Sequence, residues 1–251
     1  MEDIDKQQII KILIDKGNKE FAKPFEPIKF TGIPEVDILL NNLESYPHIF
    51  VLACVMDRQI KAERAWQIPY LVGKEIGSFE FNDFNLLQED YLIGLFIRLK
   101  LHRFNETMAK SFYLAVELID KKYGGNASLI WQNNPKSATV VSRFLEFKGV
   151  GVKIATMAAN ILARNYKIPM SDRLCLDISP DVQVNRVFTR LGIIPLKATV
   201  DQLIYAAREM NPDYPGIFDL SAWEIGRQWC RPNQPLCEEC YLNAVCPKQF
   251  T

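Results

Sequence analysis

Phe147-Lys148-Gly149-Val150-Gly151-Val152-Lys153-Ile154-Ala155 lies between two stretches of helical hydrophobic period, and its reading decides the fold. Two glycines one residue apart permit a tight turn and the close approach of another backbone. The turn feeds a new helix, whose unpaired N–H groups and positive dipole end suit a phosphate. On its own, a Gly-x-Gly between helices is most often a plain connection flanked by solvated lysines. Its surroundings shift the balance. Positions 133–170 hold six basic residues (Lys136, Arg143, Lys148, Lys153, Arg164, Lys167) against one acidic residue, Glu146. Such a local excess, in a chain whose thirty basic residues cancel thirty acidic ones, is the electrostatic footprint of a nucleic-acid binder. The expected backbone contacts are Lys148, Gly149, Val150 and Gly151.

Working outward, the apolar period is helical almost everywhere. Upstream of the turn, Asn134 as N-cap and Pro135 at the first helical position predict a helix burying Val140, Val141, Phe144 and Leu145. Phe104, Met108, Phe112, Ala115 and Ile119 form the clearest stripe, ended by Gly124-Gly125. Further helices are expected around Ile9–Ile14, Val36–Leu43, Ile49–Val55, Tyr91–Ile97, Val184–Leu191 and Leu203–Met210. No alternating run with hairpin turns is present, so the fold class is all-α. Proline-bearing stretches at 20–34 and 168–180 interrupt the pattern, and the second of these reads as a domain junction.

At 251 residues the chain has room for one large domain or two ordinary ones. Hydrophobic residues at 48% and charged residues at 24% exclude a disordered chain, and 12 Gly against 14 Pro exclude a collagen-like one. No run approaches the roughly 18 uncharged apolar residues of a membrane span. The opening MEDIDKQQ lacks the shape of a secretory signal, so the expected location is cytoplasmic, or nucleoid-associated in a prokaryote. Two cysteines stand alone in apolar surroundings, Cys54 and Cys175. The other four, Cys230, Cys237, Cys240 and Cys246, crowd near the C-terminus, a pattern that in an intracellular chain points to metal rather than disulfides. Iron–sulfur and zinc are the two candidates, although zinc sites usually show two close Cys pairs and only Cys237 and Cys240 form one here.

Leu145 to Ala155 resembles the helix-hairpin-helix of the endonuclease III class of DNA glycosylases, whose pattern is L-P-G-V-G-x-K-T-A. Gly149, Val150, Gly151, Lys153 and Ala155 match; Lys148 replaces proline and Ile154 replaces threonine. Pro180-Asp181-Val182-Gln183-Val184-Asn185-Arg186-Val187 is similar to the class's V-D-T-H-V-x-R-V, with Gln183 for histidine and Pro180 for valine. Val51 to Asp57 resembles its L-S-A-Q-A-T-D segment, and Cys54 stands where a gap-filling glutamine is expected to meet DNA. Cys230-x6-Cys237-x2-Cys240-x5-Cys246 has every spacing of its cluster loop.

The resemblance implies a six-helix barrel over 45–162 and a second helical domain of 1–44 and 163–251 holding a [4Fe–4S] cluster on the four cysteines. It implies a monomer that binds double-stranded DNA containing a damaged base and excises that base. Lys153, in the first turn after the hairpin, would form a Schiff base with the sugar, its amine made nucleophilic by nearby cations and the helix dipole. Asp181 would stabilise the positive charge developing on the sugar, although an Asp at that point is also an ordinary N-cap. Asp172 and Asp177 lie in a longer linker and are further candidates. A lysine at 153 implies combined glycosylase and lyase chemistry, on oxidised pyrimidines. Two other readings stay open: a glycosylase without lyase activity, and a non-catalytic iron–sulfur protein that senses lesions.

Overall fold

Pro47–Met56 is a helix buried on every side, because its ten residues carry no charge and His48 is its one ionisable group other than a thiol. Proline at its first position suits the missing N–H, and this helix, α3, is the spine of one of two compact units. The computed structural model describes residues 3–250; Met1 and Glu2 of the acidic opening lie outside them. Among the described residues there is no strand, and the fold is all-α.

The unit around α3 comprises Glu26–Pro135 and Ser142–Ile154. It contains α2 (Pro34–Asn41), α3, α4 (Ala62–Ile76), α5 (Phe81–Asn85), α6 (Glu89–Leu99) and α7 (Asn105–Tyr123). Helices α4 and α7 pack on α3, and α6 packs on α7. Of the expected stripe, Met108, Phe112, Ala115 and Ile119 are buried, whereas Phe104 precedes the helix and is exposed, and α7 stops at Gly124 in the left-handed region. Helix α4 escapes the periodic reading because Pro69 lies inside it, yet Trp66, Ile68 and Val72 are buried there.

Burial of His48 has a consequence for stability. Its Nε2 lies 3.1 Å from the Phe79 carbonyl, with Phe81 and Phe84 edge-on to its ring. Burial brings its pKa down to about 4, outweighing the Phe79 carbonyl, which favours the cation. The unfolded chain therefore binds the proton more readily. The contribution is fully present above the ordinary histidine value and is lost as pH falls from about 6.5 to about 4, up to about 3 kcal/mol in all. Denaturant unfolding of wild type and His48→Gln across that window measures it. The acid loss should shrink in the variant, and an unchanged loss would refute the assignment.

Helix α8 (Ser137–Leu145) begins later than the Asn134-Pro135 signal suggests. Asn133 and Asn134 both adopt left-handed backbone, and Asp172 supplies the cap from a distance, accepting from Ser137 N at 2.9 Å and from the Ser137 hydroxyl. Val140 and Phe144 are buried, whereas Val141 is half-buried and Leu145 exposed, which corrects the expected face.

The other unit consists of residues up to Phe25, Lys136–Val141, and the chain from Ala155 onward. Helices α1 (Asp3–Ala22), α10 (Val182–Arg190), α11 (Val200–Met210) and α12 (Asp219–Gln228) build it, with most of α9 (Val152–Arg164). The stretch 168–180 lies inside this unit and is not a junction, since Leu176 and Ile178 are buried in its core. Helices α10 and α12 pack closely, and Gly226 makes that possible. A Cβ there would stand 2.7 Å from the Gln183 Cβ.

Candidate functional site

The hairpin closes through Val150 N–H donating to Phe147 O at 3.0 Å, and α9 follows at once, with Ile154 N–H donating to Gly151 O at 3.1 Å. Gly149 has φ +86°, a region that L side chains rarely adopt, and a Cβ there would lie 2.5 Å from Arg58 Nη1. Glycine thus serves twice, for the turn and for the guanidinium beneath it. Gly151 is different: its backbone is ordinary and a Cβ would meet open space.

Lys153 is the second residue of α9, and its Nζ stands 2.7 Å from Asp57 Oδ2. The lysine side chain is 31% exposed and the aspartate 6%, so the lysine is open to solvent while its partner is not. Sequence reasoning weighed only cations and the dipole around Lys153. The Asp57 carboxylate acts in the opposite sense and favours the ammonium form. Asp57 is the neighbour of Lys153 that the sequence did not single out, although it matches the aspartate that ends the L-S-A-Q-A-T-D segment and is the first charge after ten helical residues without one.

Cys54 is fully buried within α3, and burial, followed by the Asp57 carboxylate, pushes its thiol pKa well above the ordinary value. The expected DNA contact at Cys54 is corrected accordingly: the side chain is core.

The basic footprint also changes character. Arg143 donates to the Leu129 and Ile130 carbonyls, both at 2.9 Å. Arg164 is buried 3.7 Å from Asp219, and Lys167 donates to Phe21 O at 2.7 Å. With Lys153 on Asp57, four of the six cations have internal partners. Lys136 and Lys148 are exposed, and of the six Lys153 and Arg164 face carboxylates, so the footprint is smaller than the count along the chain implied.

In the second unit, Asp181 is the N-cap of α10, its Oδ1 accepting from Gln183 N at 2.8 Å. Asp172 caps α8, and Asp177 holds Arg208 in a bidentate pair with both bonds at 2.8 Å. These last two carboxylates serve the fold. Arg186 ties α10 to the end of α12, donating to Cys230 O at 2.7 Å and Gly226 O at 2.9 Å.

That tie leads to the cysteines. Cys230, Cys237, Cys240 and Cys246 all line one pocket, walled by Val187 of α10, Leu191 just past its end, Ile225 of α12 and Leu242. None is in a disulfide. Arg190 Nη1 donates to Cys230 Sγ at 3.5 Å and Lys248 N–H to Cys246 Sγ at 3.4 Å, so donors already point at two of the sulfurs. Burial raises the Cys240 and Cys246 thiols, as expected where no cation replaces the proton. Among the described residues no three His, Cys, Asp or Glu side chains converge as ligands of one metal ion do. Nor is any helix among them long and apolar enough to cross a membrane.

No family model matches the chain. It is 31% identical over 130 residues to "Endonuclease III" of Thermotoga maritima, covering 51% of each protein. It is 34% identical over 71 residues to the human "Adenine DNA glycosylase", 26% of this chain and 13% of that protein. The alignment thus spans about half the length of the bacterial relative. A structure of a non-covalent endonuclease III–DNA complex superposes with TM-score 0.64 at 18% identity, over 96% of this chain and 95% of that one. A trapped endonuclease III–DNA covalent intermediate gives TM-score 0.63 at 17% identity, over 96% of both chains. A thermostable thymine-DNA glycosylase gives 0.60 at 15%, over 97% and 96%.

Proposed function

We propose that this chain, endonuclease III-like in sequence and in fold, is a DNA glycosylase of base excision repair that also cleaves the strand. Its partner is double-stranded DNA containing a damaged base, an oxidised pyrimidine, and it acts as a monomer. The observation that carries the reading is Lys153: a primary amine in the first turn of α9, behind a hairpin fit for a phosphate backbone, held by a buried carboxylate on a side chain open to solvent.

The chemistry follows from the residue types. Lys153 Nζ attacks C1′ of a nucleotide turned out of the stack, and the C1′–N bond breaks with its electron pair on the departing base. Asp181 stabilises the positive charge that builds on the sugar. The sugar ring opens to an imine with Lys153, loss of a C2′ proton expels the 3′ phosphate, and the strand is nicked. Lys148 and the N–H groups around Gly149 and Gly151 bind the backbone of the target strand.

The residues at the C-terminus fit a [4Fe–4S] cluster: four thiols on the walls of one apolar pocket, with N–H donors aimed at two of them. When bound, such a group supplies four thiolate bonds that fasten the segment after α12. Cys230, Cys237, Cys240 and Cys246 hold it, and Arg186 and Arg190 anchor the loop to α10.

Incubation with duplexes carrying an oxidised pyrimidine, uracil or no lesion tests the proposal. Nicking confined to the oxidised-pyrimidine duplex is expected. Base release without nicking would leave a glycosylase alone, and tight DNA binding with neither product would favour the lesion-sensing reading.

A further inference from the structure

Asp57 is buried at the end of α3, with the Lys153 amine 2.7 Å from its Oδ2. It closes the C-terminus of α3, its N–H donating to Cys54 O at 3.1 Å, so the negative end of the helix dipole faces it. Its side chain is 6% exposed. Three other ionisable groups surround it. Cys54 lies on its own helix, and Lys153 approaches from α9. Arg58, next in the chain, turns its guanidinium toward Gly149 and the Met108 sulfur, 3.9 Å away.

We propose that Asp57 is the positioning residue and proton acceptor for Lys153, an inference that rests on the reading of Lys153 as the nucleophile. An ammonium has no lone pair and cannot attack carbon. On an abasic sugar, a proton passes from Nζ to Oδ2 along the 2.7 Å hydrogen bond, and the freed lone pair adds to the C1′ aldehyde. The carbonyl electrons move to oxygen, which takes the proton from Asp57. Asp57 then removes a second proton from nitrogen and returns it as water leaves. One protonated imine and one water hold all the atoms, and Asp57 ends ionised, as it began. The buried carboxylate also fixes the direction of the amine, since Oδ2 holds Nζ at 2.7 Å while the lysine side chain is only part-buried.

Borohydride trapping on an abasic-site duplex, from about pH 5 to about pH 9, separates this role from simple pairing. Wild type should trap at a rate nearly flat from about pH 6 to about pH 9, because Asp57 rather than solvent base takes the proton. Asp57→Asn, which keeps the shape, should trap about 10²-fold more slowly at neutral pH and recover as pH rises and solvent removes the proton. A carboxylate that only pairs with Lys153 predicts the reverse, because losing the anion frees the amine at lower pH. Trapping by Asp57→Asn as fast as wild type or faster at neutral pH would therefore overturn the proposal. Should that variant not fold, the wild-type profile decides: a plateau supports Asp57, and a tenfold rise per pH unit through neutrality overturns it. A wild-type adduct that depends on Lys153 but not on Asp57 leaves the glycosylase–lyase reading intact. No wild-type adduct removes both.

Discussion

Lys153→Ala is expected to abolish strand nicking and the borohydride-trapped adduct, a loss of roughly 10⁶-fold where a covalent nucleophile is removed. The same change strands the Asp57 carboxylate, buried and without the cation 2.7 Å away. An unpaired buried charge costs about 1–3 kcal/mol or more, so part of any lost activity in the alanine variant could arise from lost stability. Lys153→Arg removes that ambiguity. Its guanidinium keeps a positive charge and donors for Asp57 but stays protonated and is no nucleophile. Both variants should lose the adduct, whereas only the alanine variant should unfold earlier in denaturant. An arginine variant that still forms the adduct would show that another amine carries the chemistry.

The second large effect is expected at the C-terminus. Cys237→Ser removes one of four thiols from the pocket between α10, α12 and the final segment. Protein purified with its metal should contain about four irons per chain in wild type and almost none in the variant. A zinc site would instead give about one zinc and no colour. Binding energy at such a site is folding energy. Around Cys230 the segment is otherwise held by a few hydrogen bonds from Arg186 and Arg190. Losing even about 4 kcal/mol there should lower Tm by about 8–16 °C for a domain of this size. Equal iron content and Tm in the two proteins would refute the cluster.

How much of this was legible in the sequence differs from residue to residue. The helical class was, because period and caps are local: the α7 stripe and its Gly124 stop lie where the spacing predicts them. The cysteine spacing was legible too, since all four residues lie within a short segment and line one pocket. Helix α4 was hidden by Pro69, which interrupts propensity while tertiary burial of Trp66 and Ile68 overrides it. The pairing of Asp57 with Lys153 was hidden for a different reason. The two lie 96 positions apart, and no periodicity links such a pair. The cation count around the hairpin misled because charge along a chain does not reveal which guanidinium caps a carbonyl, as Arg143 does, and which faces water. Cys54 shows the same limit, since a small apolar residue on α3 reads alike as wedge and as core.

The central claim is that one particular amine joins this protein to the sugar. Reducing the reaction on an abasic-site duplex with borohydride, digesting the trapped complex and locating the modified residue by mass spectrometry tests it most directly. The account predicts a single sugar-bearing peptide, modified at Lys153. Modification at the N-terminal amine or at another lysine, or no covalent complex under conditions where the duplex is bound, would contradict it.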